Sequence, residues 1–514
     1  MSLMPLFSLV LSLSLGQDPV LGEAKGSKGG KASQQTPPNT PSDWLRVLNS
    51  GSTHSSLGQY LGGKRFGYEI ETEGPVLWNG KLAWRIVEET AREELADGKP
   101  VHETSQTTSI HALEGEGPLI YFHQLVEENG KRTERVATPS GQGAGLKLVV
   151  NRDGRQETRE VERPKASLSH TIRMNAWLSS NPEPGTRMTS WETEWDDENP
   201  NRPTVYTFIG KEKAEGAWVN RVRCEMDGAR MDCLVTDQGK TLSIRVGPLQ
   251  LKQEPESLAR KLQAGGVDLA EALSIPLDGL KDPKLAPRVT KAVWLMRGLE
   301  DSGFRFPEDQ RQKLINNPND PTGAIHLVTR GSPLSVQKEP LAEAEKKAML
   351  AATPTLQAED PRLKAWALKQ VGVAQSVQDR AALLVGAVNR HLAKTMAANA
   401  EDALSVLDQA RGDCTEHTLL FVAAARACGI PAREVTGLVP GEMMGKSGTR
   451  LAMVWHAWAE YHDGTGWKAV DPTWNQASGV DATHVKLATG PTDWSWMNLL
   501  GVLRVNLEQA EFSR

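Results

Sequence analysis

Three residues distant in the chain are of the types that make and use a thiolate: Cys414, His456 and Asp471. Asp413 is a good helix N-cap, and Glu416 three residues later completes a capping-box variant, so Cys414 falls at the first position of a helix expected to reach Ala427. The macrodipole and the free N–H groups of a first turn favour an anion there. A thiol so placed has a lowered pKa and is a nucleophile near neutral pH. The same N–H groups can stabilise the oxyanion formed when sulfur attacks a carbonyl. Gly412 is expected to leave room for a substrate.

His456 lies in an alternating stretch, Leu451 to Tyr461, that puts His456, Trp458 and Glu460 on one face and Trp455, Ala457 and Ala459 on the other. Asp463-Gly464-Thr465-Gly466 turns the chain, and Trp467 to Asp471 returns as the antiparallel partner. His456 and Asp471 then lie side by side. The carboxylate accepts the ring N–H, orients the imidazole and stabilises its positive form. An imidazolium beside Cys414 depresses the thiol further and supplies the proton for a leaving amine. The competing reading is a buried cysteine at a helix start and a histidine packed on tryptophans. Three roles met in three structural contexts favour the chemical one. His417, three residues after Cys414, is expected to pack or to hydrogen-bond the helix terminus, with a catalytic part beside the thiol as the alternative.

The other three cysteines fit less well. Cys428 ends the same apolar helix, where the dipole disfavours a thiolate, and reads as structural. Cys224 and Cys233 flank a hairpin; a turn centred on Gly228-Ala229 would set them opposite each other, as a disulfide or as two packed free thiols. His102, His111 and His123 are scattered at no ligand spacing, and no CxxC or HxxxH pattern suggests a metal, so no cofactor and no metal is expected.

The elements around these residues divide the 514-residue chain into several parts, as its length leads one to expect. Leu6 to Leu15 is an apolar run of ten, long enough for an export signal and too short to span a bilayer, so residues 1–21 read as a signal peptide. If that segment is not cleaved it would serve as an anchor. Residues 22–42, rich in Gly, Ser, Lys and Pro, form a linker with almost nothing to bury. Residues 43–253 are expected to be an antiparallel β domain, a half-barrel or sandwich, from the turn dipeptides Asn79-Gly80, Asp97-Gly98, Asn129-Gly130, Asp153-Gly154 and Gln238-Gly239 between β-formers. Lys165 to Ser190 is less regular. Residues 254–338 are mixed. Glu256 to Ala264 and Leu269 to Leu273 read as helices, and Val289 to Met296, Phe304 to Phe306 and Ala324 to Thr329 as strands. They form a small module or an extension of the C-terminal domain.

From residue 339 to 514 the chain turns helical and then β. Helices are expected over Leu341 to Ala352, from an Asp360 cap through Val371, over Asp379 to Thr395, and over Asp402 to Ala410. The fold class is therefore multidomain α+β. A net charge of −5 gives no reason to expect nucleic acid as a partner, and no other stretch approaches the 18 apolar residues of a membrane span.

Gly412-Asp413-Cys414-Thr415-Glu416-His417, Ala425 to Arg433, Val435 to Leu438, His456 to Glu460 and Asp471-Pro472-Thr473-Trp474 together resemble, in order and context, the core of the transglutaminase-like superfamily. The resemblance covers about residues 340 to 490. It implies a papain-like α+β core with Cys414 as nucleophile, His456 as base and acid, and Asp471 orienting it. It also implies attack on amides through a thioester, with the acyl group passed to water or to an amine. The acidic loops that carry calcium in animal relatives have no counterpart here, so the resemblance implies no cofactor. The resulting expectation is an exported, periplasmic or extracellular, enzyme acting on a protein or peptide, with the oligomeric state open. The alternative is a non-enzymatic envelope protein that uses the same core as a scaffold.

Overall fold

The computed structural model describes residues 52–513 apart from 97–98, 142–144, 196–199, 215, 263–265, 281, 301, 316–324, 332–338, 396–401, 446–447 and 491. The expected signal peptide and linker, and the Asp97-Gly98 turn, lie outside the described residues. No helix among the described residues is long and apolar enough to cross a membrane. The chain divides into two compact units at Val267/Asp268.

The first unit is a long β meander. Its strand order starts at Arg155–Val161, steps back through the chain to Thr53–Leu61, passes directly to Leu249–Gln253, and steps back again to Arg187–Thr193. The first and last strands of the meander thus pair in mid-sheet, antiparallel, with Leu57 opposite Gln253 and Leu61 opposite Leu249. Three of the expected turns are two-residue hairpins with both residues at positive φ: Asn79-Gly80 (48° and 77°), Asn129-Gly130 (50° and 81°) and Asp153-Gly154 (49° and 89°). Asn and Asp tolerate that region and match the twist of the paired strands. Gln does not share the tolerance. At Gln238-Gly239 the loop is longer, with only Gly239 at positive φ, and closes through Thr236 N–H to the Lys240 carbonyl at 2.9 Å.

A turn of the same kind corrects the cysteine pairing. Asp227-Gly228 (φ 49° and 85°), not Gly228-Ala229, occupies the hairpin centre, so Met226 faces Ala229. That sets Cys224 opposite Met231 and Cys233 opposite Val222; the two thiols are free and buried. They share a face but stand on a diagonal. The irregular stretch holds a helix, Leu168–Ser179, whose Leu168, Met174 and Leu178 are buried.

The second unit carries the site. Among the described residues its sheet has nine strands: β1 (Ile275–Asp278), β2 (Val289–Arg297), β3 (Gln312–Ile315), β4 (Ile325–Arg330), β5 (Ala432–Gly445), β6 (Gly448–His462), β7 (Trp467–Val470), β8 (Val485–Thr489) and β9 (Arg504–Phe512). The order is β3-β4-β2-β9-β1-β6-β5-β8, with β7 paired to β6. Strands from the mixed stretch therefore belong to the same sheet as those around His456. Phe304 to Phe306 is not a strand. It is held between Gly303, at φ 66°, and Pro307, and its two rings pack edge to face at 5.1 Å.

Between β4 and β5 the described chain forms five helices: α1 (Glu343–Leu350), α2 (Pro361–Val371), α3 (Val377–His391), α4 (Ala403–Gln409) and α5 (Cys414–Ala427). Asp360 caps α2 through the Arg362 and Leu363 N–H groups, and Asp402 caps α4 through that of Ser405. α5 is the central helix. Its residues Leu419 to Ala425 are buried all round, which explains a run with no polar stripe; it packs on β5, β6, α2, α3 and α4. Its end is a Schellman motif. The Ile430 N–H donates to the Ala425 carbonyl at 2.9 Å and that of Gly429 to Arg426 at 2.8 Å, with Gly429 at φ 75° and Pro431 stopping the helix. A Cβ on Gly429 would meet nothing within 4 Å, so only backbone strain opposes it. Gly429→Ala is accordingly expected to destabilise this unit by about 1–2 kcal/mol, measured by urea unfolding, with no change in thiol reactivity in the folded protein.

Candidate functional site

The start of α5 follows its capping chemistry. Asp413 Oδ1 accepts the Thr415 N–H at 2.6 Å, and Glu416 Oε2 accepts that of Asp413 at 2.8 Å, which closes the capping box and fixes Cys414 in the first turn. Glu416 is buried, and burial together with the Asp413 carboxylate raises its pKa well above the usual range. Gly412 has a role other than the one expected. A Cβ there would stand 2.3 Å from the Glu416 Cβ, so the glycine makes room for the capping glutamate, not for a substrate.

Cys414 is 7% exposed. Burial acts against its thiolate. His456 acts in its favour, through both charge and a hydrogen bond. His456 projects from β6 opposite Gly437 of β5. Its Nε2 lies 2.9 Å from Asp471 Oδ2, at the turn that ends β7. The structure thus brings all three expected residues together: sulfur, imidazole and carboxylate are linked in that order. Burial lowers the pKa of the His456 imidazole, but the charges of Asp471 and Cys414 and their hydrogen bonds outweigh it and bring it to about 10. Asp471 is fully buried, a cost offset by His456, which with His484 holds its pKa far below the usual carboxylate range. Its second oxygen accepts the N–H groups of Thr473 at 2.7 Å and Trp474 at 3.2 Å, so the turn orients the carboxylate.

Trp474 stacks on the His456 ring at 4.6 Å and 16° and is 40% exposed, so it covers the imidazole on its solvent side. His417 bonds its own helix: its Nδ1 donates to the Asp413 carbonyl at 2.6 Å, and burial pushes its pKa down. Cys428 is buried at the far end of α5, where burial raises its thiol pKa.

Two site residues escape the sequence reading. His484, just before β8, is fully buried with Nε2 3.4 Å from Asp471 Oδ2 and Nδ1 3.3 Å from Asp481 Oδ1. Asp481 is in turn held by Thr483 and by Gln476, whose Nε2 donates to Oδ2 at 2.7 Å. Neither sits in a patterned stretch; what sequence signal there is lies in the Asp–x–x–His spacing ahead of a strand. His456, Asp471 and His484 each offer an atom within 4.8 Å of the others, close enough for a metal, but Asp471 Oδ2 already takes both imidazoles. A separate cavity of about 560 Å³ in this unit is lined by Arg433, Glu460, Trp467 and Lys486, and not by Cys414, His456 or Asp471.

Residues 364–472 match the family model of the transglutaminase-like superfamily, a span that includes Cys414, His456 and Asp471. No curated protein matches the chain. Among solved structures, it is similar to a candidate cysteine protease from Cytophaga hutchinsonii, at 14% identity and TM-score 0.27 over 44% of this chain and 85% of the other. It is also similar to the periplasmic domain of TgpA from Pseudomonas aeruginosa, at 17% identity and TM-score 0.27 over 59% and 91%. A third likeness is to a candidate protease from Parabacteroides distasonis, at 14% identity and TM-score 0.18 over 75% and 68%. At such TM-scores the family match is the finding that bears on the site.

Proposed function

From the transglutaminase-like core in the C-terminal part of the chain, we propose that this protein is an exported cysteine enzyme that attacks protein or peptide amide bonds through Cys414. The observation that carries the reading is the His456–Asp471 bond of 2.9 Å beside a thiol at the first position of a capped helix. In this reading the Cys414 thiolate adds to the amide carbonyl carbon, and the oxyanion faces the N–H groups of the first turn of α5. His456 gives its proton to the nitrogen as the C–N bond breaks, leaving a thioester and a free amine. Water or a second amine then attacks the thioester, and His456 takes its proton as sulfur leaves. Asp471 keeps the imidazole oriented throughout and stabilises it whenever it carries the proton.

Export rests on the apolar run Leu6 to Leu15. The 7% exposure of Cys414 favours a second reading, in which the core is a scaffold and the sulfur is inaccessible. Alkylation separates the two. Iodoacetamide is expected to label Cys414 at pH 6 about 100-fold faster than an unperturbed thiol, since an ordinary thiol of pKa about 8.5 is almost wholly protonated there. Labelling at the ordinary rate would point to the scaffold. A glutamine peptide with a labelled amine then distinguishes the acceptors: incorporation indicates transfer, and ammonia or cleavage without incorporation indicates hydrolysis.

A further inference from the structure

We infer that the cavity of about 560 Å³ lined by Lys486 and Arg311 binds a small zwitterion, an amino acid or dipeptide whose carboxylate pairs with Arg311. The observation behind it is a cation without an ion-pair partner among the described residues. Arg311 is mostly buried, and a guanidinium cannot shed its proton to lower that cost. Among the described residues its side chain makes one hydrogen bond, from Nη2 to the Asp481 carbonyl at 3.2 Å, and Nε is enclosed with no partner. Three carboxylates act on it by charge, those of Asp309, Glu460 and Asp481, and offset only part of the burial that pushes its pKa down. Each is committed elsewhere. Asp309 accepts the Arg311 and Gln312 N–H groups on Oδ1, at 2.7 and 2.8 Å, and pairs with Lys486 through Oδ2. Glu460 takes Lys486 on one oxygen and Arg433 on the other. Asp481 accepts the Thr483 N–H at 2.9 Å and the Gln476 Nε2 at 2.7 Å.

The more enclosed part of the lining thus sets Arg311, Arg433 and Lys486 against Asp309 and Glu460, and is one negative charge short. A planar carboxylate matches the fork of a guanidinium. The exposed part of the lining has the opposite sign: Glu308, Glu339 and Asp379 are carboxylates open to solvent, and Lys468 there is paired with Asp463 at 3.6 Å. Negative charge at the mouth disfavours phosphate and favours an ammonium group. A ligand carrying both charges answers both parts of the wall. The volume lies within the range of about 300–1,000 Å³ typical of small-molecule sites. Cys414, His456 and Asp471 do not line the cavity, so binding here stands or falls apart from the thiol chemistry.

The test is isothermal titration calorimetry of the full-length chain with L-alanyl-L-alanine, in a Cys414→Ala background so that the thiol cannot consume the probe. The dipeptide is expected to bind with a Kd of about 1 mM or tighter. L-alanyl-L-alaninamide, which lacks the carboxylate, is expected to bind about tenfold more weakly, and Arg311→Gln to weaken the dipeptide by the same factor. A second variant changes only exposed residues and keeps the enclosed cluster whole. Glu339→Gln combined with Asp379→Asn is expected to weaken the dipeptide about threefold while leaving N-acetyl-L-alanyl-L-alanine, which lacks the ammonium, unaffected. No heat of binding at about 10 mM dipeptide overturns the inference. So does an affinity that Arg311→Gln leaves unchanged, or inorganic phosphate bound in preference to the dipeptide.

Discussion

Asp471→Ala is expected to slow the alkylation of Cys414 at pH 6 by about 100-fold and to reduce amide turnover by about 10³–10⁴-fold. The reasoning is electrostatic. His456 is fully enclosed by the protein, and burial alone would lower its pKa below the ordinary 6.5; the Asp471 charge and its 2.9 Å bond are foremost among what brings it to about 10. Without the carboxylate the imidazole is neutral at pH 7, and the thiolate loses its counter-ion while staying buried. A histidine whose pKa is raised on folding adds stability that is fully present below 6.5 and is lost as pH rises through about 10. The wild-type protein should therefore lose stability in alkaline solution, and the variant should lack that alkaline loss. Circular dichroism shows whether the variant is folded. A folded Asp471→Ala protein whose alkylation profile matches the wild type would remove Asp471 from the proposed mechanism.

Glu460→Gln is expected to cost about 3 kcal/mol and to act on a different part of the same unit. Glu460 of β6 is 3% exposed and lies at the centre of an ionic cluster. Its Oε1 accepts from Lys486 Nζ of β8 at 2.8 Å, and its Oε2 accepts from Arg433 of β5 at 2.7 and 2.9 Å. Asp309 also pairs with Lys486, and the Arg433 guanidinium lies 3.8 Å from the centre of the Trp467 ring. Burial raises the Glu460 pKa, but Lys486 and Arg433 more than offset it and bring it to about 2. A carboxyl depressed in this way contributes stability present above its ordinary 4.5, lost as pH falls toward about 2. Removing the charge takes away the carboxylate that the buried Lys486 and the partly exposed Arg433 share. The checking measurement is hydrogen exchange in β8 and β5: protection there is expected to fall about 100-fold in the variant, and in the wild type as the solution is acidified through that window. Unchanged protection would mean that the cluster stabilises nothing.

Local rules explain how far the sequence goes. The start of α5 was legible because a capping box depends on residues three apart: Asp413 and Glu416 place Cys414 in the first turn whatever surrounds them. The Schellman end at Gly429 is local in the same way, and so are the hairpins at Asn79-Gly80 and Asp153-Gly154. The neighbourhood of His456 and Asp471 was legible because one tight turn, Asp463 to Gly466, joins β6 to β7. A shift of one residue in a turn centre, by contrast, was enough to unpair Cys224 from Cys233, since register propagates along both strands.

What only the tertiary structure decided is whatever depends on residues brought together without a local rule. Gly412 reads as an opening until the Glu416 side chain is found in the space its missing Cβ leaves. Residues 254–338 read either as a small module or as an extension of the C-terminal domain until β1 is found between β6 and β9. His484 and Asp481 carry no periodicity, and their place behind Asp471 is set by the fold of the loop between β7 and β8. The sequence alone determined the position of the Cys414 thiol and the order of the histidine and aspartate that join it, because capping and hairpin geometry are short-range. The burial and charge around that thiol required the packed unit, because proton affinity depends on every charge within several ångströms and not on spacing along the chain.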